Sequence, residues 1–282
     1  MENKDLVKAR GKMVVKANDI IQKSRYDLSL LQQKVVLYLI SQIQPHDDDF
    51  KLYEFSISDF CKVCGIDGYS GKNYAMLKAA IKEIADKSMW VTLANGKETL
   101  VRWIEKPYIN ENSGTIQIRL DKDMKPYLLQ LQGNFTQYEL CWTLQFKRKY
   151  STRLYELIKS VHYDELEVYE KVYELTELKS RMDADTYTTW QTFKVRALEP
   201  AIAEINEYSD KSIEYETITY GKVVARIKLK ISSKGMSETL RLRVLQEQRL
   251  GTDFTNDSHD IAPKKIIDRI IACERADGAV EG

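Results

Sequence analysis

Two stretches of the chain share one pattern at a fixed distance. Tyr74, Leu77, Ile81 and Ile84 lie at i, i+3, i+7 and i+10, and Val195, Leu198, Ile202 and Ile205 repeat that spacing 121 positions later. Apolar residues at those intervals line one face of a helix. The same motif then follows each helix, Asp86-Lys87-Ser88-Met89 being answered by Asp210-Lys211-Ser212-Ile213. Alternating arms around Asn95-Gly96-Lys97 and around Tyr220-Gly221-Lys222 read as hairpins. Upstream, Tyr53-Glu54-Phe55 matches Tyr173-Glu174-Leu175, and Leu37-Tyr38 matches Leu154-Tyr155. The order persists through all the matches and the offset stays nearly constant, from 117 for Leu37 and Leu154 to 124 for Asp86 and Asp210. The chain is therefore an internal duplication with units far longer than solenoid repeats, and its fold class is α+β.

A helix followed by a two-stranded basic ribbon is the outline of a winged helix. Its helix can enter a major groove while the ribbon lies along phosphates. The expected division is a first winged helix over residues 1–134 and a second over 135–250, parted at Gly133-Asn134. Residues 251–282 form a mostly polar tail, expected either to be disordered or to hold a short helix opened by Pro263 that carries Ile266, Ile267, Ile270 and Ile271 toward a partner. At the other end, residues 1–17 read as a loose basic arm with Lys8, Arg10, Lys12 and Lys16. Asn18 is expected to cap a short helix, Ser58 the helix over 59–64, and Thr176 the helix over 177–182. Pro200 lies inside the long helix expected over 188–208 and should kink it just upstream.

Several chemistries lack their residues. His46, His162 and His259 are isolated, no G-x-x-x-x-G-K-[S/T] occurs, and Cys61-x-x-Cys64 has no second cysteine pair. No catalytic residue, metal or cofactor is expected, and the protein is not read as an enzyme. No apolar run is long enough for a membrane span. The first residues do not read as a secretory leader, and the four cysteines suit a reducing cytoplasm. The net charge is only +1, so affinity for nucleic acid has to come from cations gathered locally.

Three segments carry a family resemblance. Lys16-Ala17-Asn18-Asp19-Ile20-Ile21 with Leu28-Ser29-Leu30-Leu31-Gln32-Gln33-Lys34 is similar to the opening of iteron-binding plasmid replication initiators, the Rep proteins. Phe146-Lys147-Arg148-Lys149-Tyr150-Ser151-Thr152-Arg153-Leu154-Tyr155 resembles that family's second signature. Phe193-Lys194-Val195-Arg196-Ala197-Leu198-Glu199-Pro200-Ala201-Ile202, with Glu204-Ile205-Asn206 and Asp210, resembles its third. The resemblance spans residues 14–234. It implies two tandem winged helices that bind repeated sites in double-stranded plasmid origin DNA within a bacterial cytoplasm. It further implies recruitment of a host replication initiator and the replicative helicase, and a homodimer in equilibrium with monomer that represses the initiator's own promoter. A dedicated transcriptional repressor is the alternative.

The residues assigned to DNA follow from the duplicated unit. Thr192 and Arg196 face out from the second long helix with Lys194 on its flank; arginine can pair bidentately with guanine. Lys147, Arg148, Lys149, Ser151 and Arg153 gather at a helix start, where exposed N–H groups favour phosphate. Lys222, Arg226, Lys228 and Lys230 stud a return arm that holds no acid as far as Lys234. In the first unit the positions of Lys194 and Arg196 are taken by Asn73 and Ala75, leaving Lys72 and Lys78 nearby. That unit is expected to grip backbone more than bases, or to serve dimer contacts.

Overall fold

The computed structural model describes residues 2–44, 46–66, 71–92, 96–162 and 168–252. The first half runs α1 (Asn3–Arg10), β1 (Met13–Ala17), α2 (Asn18–Gln22), α3 (Leu30–Ile40), β2 (Tyr53–Ser56), α4 (Ile57–Val63) and α5 (Gly71–Asp86). A hairpin of β3 (Ser88–Thr92) and β4 (Glu98–Arg102) follows, then β5 (Tyr108–Asn110), β6 (Thr115–Ile118), α6 (Lys125–Leu128), β7 (Phe135–Glu139) and α7 (Cys141–Leu144). The second half runs α8 (Lys149–Lys159), β8 (Val168–Glu174), α9 (Leu175–Arg181), α10 (Trp190–Phe193), α11 (Glu199–Tyr208), β9 (Lys211–Tyr220), β10 (Val223–Ser233) and α12 (Met236–Arg249). The order α8–β8–α9–α10/α11–β9–β10 restates α3–β2–α4–α5–β3–β4, so the duplication read from spacing is a duplication of winged helices.

The two copies differ in their sheets. In the second, β8, β10 and β9 form one antiparallel sheet. In the first, β6 lies between β2 and β5 and pairs with both, and β3 pairs with β4 in a separate ribbon. Helix starts are set locally. Ser29 and Gln32 make a reciprocal capping box at α3. The cap of α4 is Ser56, not Ser58, because its Oγ reaches the Asp59 N–H at 3.0 Å. No side chain caps α9, and Thr176 lies inside it. Asn18 caps nothing either: its Oδ1 accepts from the Thr136 hydroxyl at 2.6 Å and ties α2 to β7. The turn at residues 67–70 and the expected tail helix lie outside the described residues.

The N-terminal segment is not a loose arm. Arg10 is fully buried, and all five of its N–H donors are used. They reach the carbonyls of Lys62, Val63 and Leu250, the Thr252 hydroxyl, and Glu247 Oε2 at 2.6 Å. Two of those carbonyls are the last of α4, where a cation meets the negative end of the helix. Glu247 lies on α12 and also takes Arg243 Nη1 at 2.7 Å. The buried side of α12 is thus charged, and α12 ties the second unit to the first. Gly65, at φ +60°, ends α4 against it: a Cβ there would come within 2.3 Å of Leu250 Cδ2. Just beyond Gly133-Asn134, β7 pairs with β1 from Met13↔Glu139 to Ala17↔Phe135.

A second buried charge cluster holds α8. Glu156 accepts from Lys16 Nζ at 2.5 Å, from the Tyr138 hydroxyl at 2.5 Å and from the Tyr26 hydroxyl at 3.4 Å, with Arg153 Nη1 3.9 Å away. Burial alone would raise the Glu156 carboxyl; Lys16 and Arg153 outweigh it and hold the group below the ordinary value of 4.5. A depressed carboxylate contributes stability that is complete above its unfolded pKa and is lost as pH falls through the folded one. Wild-type urea midpoints should therefore fall as pH drops below 4.5. Glu156→Gln should be less stable at neutral pH and flatter over that acid window. Parallel pH profiles for the two proteins would refute this account.

Candidate nucleic-acid interface

Thr192, Lys194 and Arg196 lie on the long helix of the second unit, α10 and α11 joined by a wider π turn at Lys194–Leu198. Thr189 starts it, its Oγ1 accepting from the Thr192 N–H at 3.2 Å. Pro200 explains the π turn. It has no N–H to return to the carbonyl four residues back, and its ring crowds that carbonyl, so the backbone widens. The kink expected upstream of Pro200 is this local widening. It also rotates the apolar stripe. Phe193, Ala197, Leu198, Ala201 and Ile205 are buried, whereas Val195, expected on that face, is 51% exposed. The outward row is Gln191, Thr192, Val195 and Arg196, two hydrogen-bonding side chains, one pair of methyls and one guanidinium. Lys194 is half-buried and pairs with Glu199 at 3.4 Å.

The cluster at the start of α8 is arranged otherwise than expected. Its helix N-terminus is already occupied by a carboxylate from α11. Glu204, itself buried, accepts from the Lys147 N–H at 3.1 Å, the Ser151 hydroxyl at 2.5 Å and Arg148 Nη1 at 2.9 Å. No side chain caps α8, but Glu204 takes donors just before and beside its first turn, so an anion from within the protein already lies at this helix start. Ser151 is fully buried, and Arg153 is buried with its guanidinium on the Arg181 carbonyl at 2.9 Å and the Tyr26 hydroxyl at 2.5 Å. These two leave the DNA-facing set as internal struts. Lys149 is shared by Asp183 at 2.6 Å and Asp27 at 3.0 Å, and on balance these two acids raise its pKa against burial. The side chains of Lys147 and Arg148 remain exposed beside α11.

The basic arm of β10 has no acid in its own sequence, but the register supplies acids from both sides. Arg226 faces Glu174 at 3.9 Å, Lys230 faces Glu214 at 3.5 Å, and Lys228 lies between Glu216 at 2.9 Å and Glu170 at 3.4 Å. The hydrogen bond to Glu216, then that to Glu170, raises the Lys228 pKa. Lys222, at the two-residue turn with Gly221, is exposed. In the first unit Lys72 and Lys78 are both exposed on α5, with Lys78 in an ion pair with Glu111. The structure thus leaves Thr192 and Arg196 exposed on one helix and Lys147 and Arg148 exposed at the start of α8, places Lys222 at the hairpin tip, and leaves Lys72 and Lys78 on the other unit.

Spacing alone hid two features: the outward turn of Val195 and the placement of Glu204 at the start of α8. The carboxylate is present in the third signature, but nothing local announces that it faces a helix start 53 residues earlier. Cys61 and Cys64 are buried in and beside α4, and burial pushes the Cys64 thiol up to about 12. Among the described residues no group of three or more His, Cys, Asp or Glu could hold a metal, and no helix is long and apolar enough to cross a membrane.

Residues 13–159 match the family model described as Initiator Replication protein, WH1, and residues 174–231 match Initiator Rep protein, WH2. A Replication initiation protein of Escherichia coli is 24% identical over 214 residues, covering 71% of this chain and 64% of its own length. The chain thus spans less than two thirds of that relative. The Pi initiator protein, whose crystal structure was solved in complex with iteron DNA, superposes with a TM-score of 0.65 at 20% identity. The match covers 80% of this chain and 98% of that one, and it establishes the shared architecture. With both winged helices matched in order, the chain belongs to the family of initiator replication proteins.

Proposed function

We propose that the protein initiates plasmid replication by binding repeated sites in double-stranded origin DNA, reading bases with the helix that carries Thr192 and Arg196. The observation that carries this reading is the outward row Gln191, Thr192, Val195 and Arg196 on a helix whose opposite face is locked into the core. Arginine suits guanine, threonine and glutamine suit several base edges, and the valine methyls suit the thymine methyl. Family membership and the likeness to an initiator solved on iteron DNA support the same reading. Lys147, Arg148, Lys222 and Lys72 then serve as phosphate contacts that fix orientation without selecting sequence. Monomers initiate and recruit the host replication initiator and replicative helicase, whereas dimers repress the initiator's own promoter.

The test has two stages. Duplexes selected by the full chain from a random pool should converge on one short motif. A plasmid bearing tandem copies of that motif should replicate only when the chain is supplied. No convergence would refute sequence-specific binding. Convergence with repression of a promoter but without plasmid maintenance would assign the chain to a dedicated repressor instead.

A further inference from the structure

The hairpin of the second unit ends in a tip that the fold does not need. Strand β8 pairs with β10 only from Arg226 to Ser232, so beyond Arg226 the sheet runs on as a two-stranded ribbon, whose Val224 still packs against the core and whose end, Tyr220 to Val223, does not. At the point where β8 leaves off, the register slips between Val224 and Arg226, an irregularity of the kind that bends and re-aims a strand. Beyond it, Val223 pairs across the ribbon with Tyr220. Tyr220 is 88% exposed and Val223 is 70% exposed. Gly221 closes the turn at φ +61°, and a Cβ placed on it would meet nothing within 4 Å. The composition changes at the same point. Below the slip each cation faces a glutamate, whereas from Thr217 to Ala225 there is no acid, one lysine, and otherwise only glycine, hydroxyl-bearing and apolar side chains.

We propose that Tyr220 and Val223 form an apolar wedge that enters the minor groove of duplex DNA beside the major-groove site and partly unstacks a base step. This rests on the DNA-binding function proposed above. Two strand axes lie about 4.8 Å apart, so with its own thickness a ribbon is wider than an undistorted minor groove of about 6 Å, and only its tip can enter, as the groove opens around an unstacked step. Apolar side chains at the tips of minor-groove binders open base steps and bend the duplex. Lys222, between the two wedge residues, falls where a groove wall offers phosphate. A ribbon meant only to lie along phosphates gains nothing from an exposed tyrosine and valine at its end.

The experiment uses the full chain and the duplex it selects from a random pool, with 2-aminopurine placed at successive positions flanking the selected motif. Wild-type protein should raise 2-aminopurine emission at one or two adjacent flanking steps. The variant Tyr220→Ala/Val223→Ala should abolish that rise and weaken affinity by about tenfold, with the dependence on salt unchanged. Tyr220→Phe/Val223→Ile should keep the rise. Lys222→Ala should keep it too, while making the slope of log affinity against log salt shallower by about 0.9. Both alanine positions are exposed, so thermal midpoints should match wild type. Binding without any emission rise would overturn the wedge and leave the DNA-binding function standing. A double variant with undiminished emission would overturn it as well. DNA-free self-association lost in the double variant would show that a second copy covers the tip, also against the proposal. If the wild-type chain selects no duplex, both the function and the wedge fall.

Discussion

Glu247→Ala should destabilise the protein by about 3–5 kcal/mol, the range for breaking a buried ion pair by removing one partner. The carboxylate is buried with two guanidiniums, Arg10 Nη1 at 2.6 Å and Arg243 Nη1 at 2.7 Å, and it also accepts from the Thr252 hydroxyl at 3.1 Å. Alanine leaves the Arg10 charge without a carboxylate in a place water does not reach. Glu247→Gln should lose less, since an amide oxygen still accepts one of these bonds. The two changes should be compared by urea unfolding without DNA. A loss under about 1 kcal/mol for alanine would mean that the cluster is hydrated in solution. A double-mutant cycle with Arg10→Met should show strong coupling, because much of the single-variant loss is the stranded partner.

Arg196→Ala should weaken binding to the selected duplex by about 1–3 kcal/mol and relax the preference at one base pair, as loss of a bidentate guanine contact does. The side chain is exposed in the outward row, so stability should hardly change. Lys228→Ala is the contrast. Its ammonium is already hydrogen-bonded between Glu216 and Glu170, so a phosphate would have to displace two carboxylates. The salt slope should then move by well under the roughly 0.9 of a full phosphate contact. Titrations on the selected duplex and its single-base variants decide the matter. If Lys228→Ala shifted the slope fully while Arg196→Ala left base preference intact, the reading head would be the sheet and not the helix.

What could be read from the sequence and what could not divide along one physical line. Periodicity reports which face of an element is buried, and it located the duplicated helices and hairpins because those patterns are local. Pro200 likewise disturbed its helix within the preceding turn. Val195 escaped because a π turn changes the angular step, so a stripe counted at regular helical spacing drifts off the true core face. The charges escaped for a different reason. Arg10 meets Glu247 across 237 positions and Ser151 meets Glu204 across 53, and a single sequence carries no record of such pairings. A run of cations looks the same whether it awaits phosphate or is matched by acids on the neighbouring strand. The basic stripe of β10 and the cluster at α8 were therefore legible as positions but not as free charge.

The clasp between the two halves also sets how a DNA site can vary. Helix α12 holds the end of α11 through Gln246 on the Tyr208 carbonyl and Arg249 near Glu207, and through Glu247 and Arg10 it holds the end of α4. The two winged helices therefore reach a duplex with their separation already chosen, like the jaws of a caliper fixed at one setting. On the proposed function, a site read by the second unit and gripped along its backbone by the first must keep its halves in phase with the turn of the double helix. Letters within either half can drift at a graded loss, whereas inserting about five base pairs between them, half of a turn of about 10, would carry one half to the far side of the duplex. For such a reader, spelling is negotiable and spacing is not.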